Sequence, residues 1–329
     1  MREEADLLET RPGGAQRLLP YLPPFLRNAL GQAPPALLAA LEEIRLRQGA
    51  PVLLRCGREE WFLAARGGAV KEREAALIPG AQEMRESILA ISQSSFYALE
   101  EELKRGFITL PGGHRAGLAG KAVLENGAVK TLKEISGINF RVARHVPRAA
   151  GRLLPLLFTA AGAGLPAHTL IVSPPGCGKT TVLRDLAFSL SEGGRWGRGL
   201  QVGVVDERSE LAAMLNGQPQ LPIGMRTDVL DACPKAEGMM LLIRSMAPQV
   251  LICDEIGRAE DAAAILEAAR AGIKVIASAH GGGREEMLAR PAVGGLIEAG
   301  VFERLALYSR SNGPGTLEGV WNGKGERIC

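Results

Sequence analysis

The chain has 329 residues, 46% of them apolar, and a formal net charge of only +3 from 39 Lys and Arg against 36 Asp and Glu. That length suits two domains with real hydrophobic cores, and so weak a charge argues against binding to nucleic acid or to an acidic membrane face. Five scattered cysteines (Cys56, Cys177, Cys233, Cys253, Cys329), odd in number and without a C-x-x-C pair, argue against a disulfide framework or a zinc site and fit a reducing compartment.

In chain order, Met1 to Thr10 carries four acidic residues and no apolar core, so it does not read as a signal peptide. Proline-rich turns at Pro20, Pro23-Pro24 and Pro34-Pro35 separate short apolar segments, and Leu37 to Leu46 has helical spacing. Val52 to Arg55 and Trp61 to Leu63 predict a strand pair around Cys56-Gly57. Helices are predicted at Glu83 to Ile91 and at Tyr97 to Arg105, the second ended by Gly106. From Phe107 the pattern changes to short β-like runs: 107–110, 115–118, 121–124 and 138–143, with Asn126-Gly127 as a hairpin turn. Residues 1–150 therefore read as a smaller α+β domain of no evident catalytic type.

Leu153 to Val172 is a run of twenty residues without Asp, Glu, Lys or Arg, long enough to span a bilayer. Pro155, Pro166, two glycines and His168 interrupt it, and its end feeds a loop that must sit in water. It reads as a buried helix, a turn near 164–166 and a strand, with no transmembrane segment. Beyond it, apolar strands at 168–172, 201–205, 249–253 and 273–277 alternate with helices. That rhythm predicts, over residues 151–329, a mostly parallel sheet with helices on both faces, whose ligand site lies at the carboxyl ends of the strands. The Gly-rich tail from Asn312 to Cys329 reads as a hairpin with a loose end.

The strand ends carry the chemistry. After Val172 comes Ser173-Pro174-Pro175-Gly176-Cys177-Gly178-Lys179-Thr180, with Thr181 opening a helix. This is a phosphate-binding loop in which Ser173 replaces the first glycine of G-x-x-x-x-G-K-[ST]. Its backbone N–H groups and the helix dipole would face phosphates, Lys179 would neutralise β- and γ-oxygens, and Thr180 would ligate Mg²⁺. The strand ending at Cys253 presents Asp254, a candidate Mg²⁺ partner, and Glu255, a candidate general base. Asp206-Glu207-Arg208-Ser209-Glu210, three acids and an Arg at a strand end, either orients water or Mg²⁺ or caps a solvated helix start, with Glu207 and Glu210 the next carboxylates to test after Glu255. His280 at the fourth strand end is either a γ-phosphate sensor or a structural imidazole. Cys177, Cys253, Met239, Met240 and Met246 read as packing residues. The motifs predict a P-loop NTPase, RecA-like in fold class, that binds and hydrolyses ATP with Mg²⁺.

With these four strand ends in order, the chain resembles the traffic ATPases of type II and type IV secretion and pilus assembly, as does Leu242 to Gln249 followed by Glu255-Ile256. It resembles more closely the stage III sporulation protein AA family of endospore-forming bacteria. The stretches that carry this are 97–103, 110–115, 206–210, 226–231 and 234–240. The resemblance implies a hexameric ATPase at the cytoplasmic face of a membrane complex in the mother cell. It would energise a channel to the forespore and have membrane-embedded channel proteins as partners. It also implies that N-terminal arginines reach the nucleotide; Arg115, Arg141 and Arg144 are the candidates, each also readable as a surface arginine. A nucleic-acid-dependent RecA-like ATPase and a purely structural nucleotide-binding scaffold are the competing readings. Near-neutral charge disfavours the former and Glu255 the latter.

Overall fold

The structure is a computed structural model that describes residues 14–92, 100–158, 164–195 and 197–329. The chain folds as two compact units. The first comprises residues up to Arg144 together with Met214–Gln220; the second comprises His145–Ala213 and Leu221–Cys329. The expected absence of a signal peptide concerns Met1 to Thr10, which lies outside the described residues.

The first unit opens with three short helices, α1 (Gly14–Leu18), α2 (Pro24–Leu30) and α3 (Pro35–Ala40). Pro24 and Pro35 begin the latter two, where the missing N–H has no helical partner to lose. Strands β1 (Glu43–Arg47), β2 (Ala50–Cys56), β3 (Glu59–Leu63) and β4 (Ala69–Val70) follow. Helices α4 (Ala81–Ser92) and α5 (Glu100–Arg105) come next, then β5 (Phe107–Leu110), β6 (His114–Glu125) and β7 (Ala128–Arg141). All seven strands form one antiparallel sheet in the order β4-β3-β2-β1-β7-β6-β5.

Two expectations need correction here. The helical spacing at 37–46 covers a helix that stops at Ala40 and a strand, β1, whose Ile44 and Leu46 alternate into the core. The separate runs at 115–118, 121–124 and 138–143 are parts of two long strands joined at Asn126-Gly127. Both turn residues have positive φ (52° and 79°), as a two-residue hairpin of this hand requires. Gly120 looks like an interruption in the sequence but marks a bulge, where a Cβ would lie 2.6 Å from the Lys133 carbonyl oxygen. The helix expected from Tyr97 is seen from Glu100; residues 97–99 lie outside the described residues.

The second unit holds a seven-stranded sheet. Its strands are β8 (Thr169–Ser173), β9 (Val202–Asp206), β10 (Thr227–Asp231), β11 (Val250–Cys253), β12 (Lys274–His280), β13 (Arg304–Ser309) and β14 (Thr316–Asn322). The order is β10-β9-β11-β12-β8-β13-β14, parallel throughout except for the antiparallel pair β13–β14. Helix α6 (Leu154–Leu157) precedes β8, α7 (Lys179–Glu192) follows it, and α8 (Lys235–Met246) and α9 (Ala259–Arg270) flank β11. Two further helices, α10 (Arg284–Leu288) and α11 (Pro291–Glu298), complete the unit. Residues of α7 pack with Ile171, Val202 and Ile252 on one face; residues of α8, α9 and α11 pack with Leu170, Val172 and Leu251 on the other. Central strands covered on both faces read as unbroken apolar runs, which is why these four were visible in the sequence.

The sheet has three strands more than the sequence suggested. β10 at one edge reads T-D-V-L-D and is only half-buried, so it lacks an apolar signature. β13 and β14 form the other edge, and the tail is not loose: the backbones of Ile328 and Cys329 pair with Val320. Met239 is in the core as expected, whereas Met246 at the end of α8 is 44% exposed. All five cysteines are free thiols. The apolar stretch around residue 160 contains only the short α6 and, after residues 159–163 (outside the described residues), β8. No helix among the described residues is long and apolar enough to cross a membrane.

One close approach shapes the site. Gly238 of α8 lies directly over β9, where a Cβ would come within 2.6 Å of Val205 Cγ1. Gly203 of β9 likewise leaves room for the side chains of Leu251 and Leu242.

Candidate functional site

Strand order assembles the site. β8, β12, β11 and β9 are consecutive neighbours, so the segments leaving their carboxyl ends lie side by side. His280 is directly opposite Ser173 in the parallel register, and Cys253 is opposite Ala277. Four sequence segments more than a hundred residues apart at their extremes thus meet at one edge, as expected for a ligand crevice in an open parallel sheet.

The loop from Ser173 to Gly178 turns sharply at Gly176 (φ 71°) and Gly178 (φ 87°), conformations that cost glycine nothing. Gly178 is the N-cap of α7, whose first residues are Lys179, Thr180 and Thr181. Ser173, in place of the usual glycine, is fully buried at the end of β8 and donates its hydroxyl to the Pro174 carbonyl at 2.8 Å. The Cys177 carbonyl accepts the Gly315 N–H at 2.9 Å, so the hairpin between β13 and β14 braces the loop from outside.

The Lys179 ammonium is folded into this loop. It donates to the Ser173 carbonyl (3.0 Å) and hydroxyl (3.2 Å) and to the Pro174 carbonyl (3.3 Å), and it touches His280 Nδ1 at 3.0 Å. Burial draws its pKa down, while Asp254 and Glu255 pull the other way. An ammonium has no lone pair to offer, so Nδ1 of His280 is the acceptor and the ring proton sits on Nε2. Nε2 then donates to Glu255 Oε1 at 2.8 Å. The other carboxylate oxygen, Oε2, pairs with Arg208 Nη1 at 2.9 Å. Glu255 is itself in the left-handed region (φ 54°), and its N–H is held by the Ser278 hydroxyl at 3.0 Å. A non-glycine residue in that conformation is uncommon, and here neighbouring contacts fix it.

Asp254 receives the Thr180 hydroxyl on Oδ2 at 2.7 Å and the Ser278 hydroxyl on Oδ1. Thr180 and Asp254 are therefore hard oxygen donors within touching distance at the mouth of the loop. Mg²⁺ takes most of its ligands from water and phosphate, and two such protein groups fit it. Among the described residues no cluster of three or more His, Cys, Asp or Glu is arranged to hold a metal by itself.

The acidic segment after β9 divides its labour. Asp206 is buried and turns inward, where its carboxylate accepts the N–H groups of Glu210 (2.7 Å), Leu211 (2.9 Å) and Ala212 (2.9 Å). Burial raises its pKa and those three donors oppose the rise. It caps a tight turn with Ser209 at φ 53°, and no helix starts there. Glu207 forms an ion pair with Lys235 at the start of α8. Glu207, Arg208, Glu210 and Lys235 line a water-sized cavity of about 20 Å³ together with Asp206, Asp254 and Glu255.

Sequence reasoning named Arg208 only as one member of the acidic segment and missed Lys235 and Arg184 as site residues. Arg184 on α7 is buried and donates to the carbonyls of Leu211 (2.6 Å) and Glu210 (2.7 Å), tying the acidic turn to α7. Burial lowers its pKa to about 10.

A larger cavity, about 340 Å³, is lined by Arg148, Arg152, Gly178, Thr181, Tyr308 and Gly315, among others. Asp185 of α7 shapes it by accepting the N–H groups of Arg148 (3.0 Å) and Ala150 (2.9 Å). In the first unit, Arg115 stacks over the Phe107 ring at 4.3 Å and lies opposite Arg141 on the neighbouring strand. Arg144 donates to the Leu41 carbonyl at 3.0 Å.

The sequence matches the family described as "Sporulation stage III, protein AA" over residues 16–328. The chain belongs to the stage III sporulation protein AA family. It is 44% identical over 304 residues to Stage III sporulation protein AA of Bacillus subtilis (strain 168), covering 92% of this chain and 94% of that protein. Among solved structures it is similar to the ATPase DotB of Legionella pneumophila, with TM-score 0.52 and 16% identity over 81% of this chain and 72% of DotB. It is also similar to the pilus retraction motor PilT with bound ADP (TM-score 0.51, 13% identity, 81% of this chain and 74% of PilT). At such identities the likeness is one of fold. It places this sporulation-family chain on the P-loop α/β scaffold of secretion and pilus ATPases, with an antiparallel sheet domain added, and the expected fold class holds.

Proposed function

We propose that this protein is a Mg²⁺-dependent ATP hydrolase of the secretion-motor kind, energising a sporulation channel between mother cell and forespore. One observation carries the reading: Lys179, His280, Glu255 and the Thr180–Asp254 pair converge at the carboxyl ends of adjacent parallel strands. Lys179, with the N–H groups that open α7, receives the β- and γ-phosphates. The cavity beside Thr181 receives the nucleoside. Glu255 accepts a proton from the attacking water, and His280 aligns Glu255 with Lys179. Thr180 and Asp254 would hold Mg²⁺, which when bound supplies charge neutralisation on the phosphate oxygens. Glu207 and Glu210 are the reserve carboxylates should the base be elsewhere.

The motor works as a ring, a hexamer by analogy, peripheral to the mother-cell membrane on its cytoplasmic side, and its partners are the membrane-embedded channel proteins. Arg115, Arg141 or Arg144 of one copy supplies transition-state charge to the nucleotide of a neighbour, a contribution of roughly 10³–10⁵ in rate for such arginines.

Phosphate release by the full-length chain with ATP and Mg²⁺ tests the reading. Glu255→Gln should retain ATP and slow turnover by about 10²–10⁴, the worth of a positioned base. Lys179→Ala should lose tight ATP binding by calorimetry. Unchanged affinity in that variant sinks the phosphate-loop assignment. Marked stimulation by single-stranded DNA would favour the nucleic-acid-dependent alternative.

A further inference from the structure

Glu255 is engaged at both of its oxygens. His280 holds Oε1 and Arg208 holds Oε2, each within 3 Å. Each oxygen keeps one further acceptor position, and the two partners together fix which way those positions face. These two partners differ in kind. His280 is part of the sheet, on β12, and is bonded to Lys179. The Arg208 side chain is 65% exposed and that of Glu255 25% exposed, so their ion pair is open to solvent on the arginine side. Such a pair is weakly held and readily exchanged.

The backbone beneath Arg208 is the opposite of loose. Asp206 takes three N–H groups of the turn, and Arg184 takes two of its carbonyls from the phosphate-loop helix. A long, planar cation is thus mounted on a fixed post beside the cleft that holds Asp254 and Glu255. A guanidinium matches two phosphate oxygens at once, and the terminal phosphate of ATP carries more negative charge than a single carboxylate.

We propose that Arg208 is a positioning residue that pins Glu255 while the site lacks a terminal phosphate and transfers to that phosphate when ATP enters. The transfer releases Oε2 to face water and supplies a second positive group at the γ-position from within the same chain. Hydrolysis is thereby coupled to the presence of the γ-phosphate: ADP leaves Glu255 pinned, and ATP frees it. The inference rests on the ATPase reading above and gives Arg208, a member of the acidic segment after β9, a role of its own.

The test compares wild type, Arg208→Ala and Arg208→Lys as full-length proteins, each checked for an unchanged thermal unfolding midpoint, as an exposed side chain allows. Affinities for ADP and for a non-hydrolysable ATP analogue are measured beside steady-state turnover. Arg208→Ala should bind ADP within about threefold of wild type, bind the analogue about tenfold more weakly, and lose about 10²-fold in kcat. Millimolar guanidinium should restore part of that turnover, and Arg208→Lys should fall between, because a point charge replaces a two-pronged donor. A merely structural arginine would show neither the analogue-selective loss nor the rescue. Wild-type turnover in Arg208→Ala, or equal loss of ADP and analogue binding, overturns the inference while leaving the ATPase reading intact. Absence of both nucleotide binding and hydrolysis in the wild-type chain overturns the two together.

Discussion

His280 bridges Lys179 and Glu255: its Nδ1 lies 3.0 Å from the Lys179 ammonium and its Nε2 2.8 Å from Glu255 Oε1. The loop lysine and the candidate base are therefore linked through one ring. His280→Ala should leave ADP affinity nearly unchanged and lower kcat by about 10–100-fold, because Glu255 loses its aligning donor. Full turnover in that variant would make the imidazole structural.

The Thr180–Asp254 bond makes a separate prediction. Thr180→Ala removes a hydroxyl 2.7 Å from the carboxylate. The Mg²⁺ concentration for half-maximal turnover should rise by about 10–100-fold, the usual effect of disturbing a ligand or its supporting shell. Titrating Mg²⁺ at saturating ATP checks it; an unchanged midpoint would remove Thr180 from the metal's surroundings.

How far the site could be read from the sequence depended on where each partner lies. The loop 173–180 and the box Asp254-Glu255 are contiguous strings that follow apolar runs, and both were legible. The pairs Lys235–Glu207 and Arg208–Glu255 were not, because each joins residues 28 and 47 positions apart whose meeting depends on strand order. Asp206 was read as one of several equivalent acids. Only the structure shows it turned to three backbone donors, which a string of charges does not reveal. In the first unit, β1 escaped because Leu37 to Leu46 satisfies helical and alternating patterns in succession, and periodicity alone does not locate the switch.

Asp185 is the anchor of the segment that opens the second unit. Asp185→Ala leaves the N–H groups of Arg148 and Ala150 without their acceptor and should cost roughly 2–6 kcal/mol, at about 1–3 for each donor. Denaturant unfolding measures it. A loss under about 0.5 kcal/mol, the range of an ordinary surface substitution, would mean that the segment is held by other contacts.

His114 gives the first unit a pH dependence. It is fully buried, accepts the Ala143 N–H on Nδ1 at 3.0 Å, and its Nε2 has no partner among the described residues. Burial, with a smaller push from Arg17, lowers its pKa to about 4. The unfolded chain therefore binds the proton first. Stability from this group is complete above about pH 6.5 and is lost as pH falls toward 4, by up to about 3 kcal/mol. Comparing wild type with His114→Gln at pH 7 and pH 5 isolates it: the acid-induced loss should be smaller in the variant. Equal losses would contradict the assignment.

The first-unit arginines make the assembly prediction. If they act on a neighbour's nucleotide, turnover per subunit should rise steeply with protein concentration. Ala variants of Arg115, Arg141 or Arg144 should then lose hydrolysis more than binding. Turnover independent of concentration, unaffected in all three variants, would leave these arginines outside the reaction.

Gly238 has a consequence for anyone engineering this protein. Helix propensity alone favours Gly→Ala in a helix interior by about 1 kcal/mol, and a residue-by-residue stabilisation scheme would select the change. Here the added methyl meets Val205 Cγ1 at 2.6 Å. To make room, α8 must tilt off β9, and Lys235, one turn earlier on the same helical face, would be carried away from Glu207. The substitution would mend the helix and misalign the cleft, so a thermostable variant of this chain should be built with that glycine left in place.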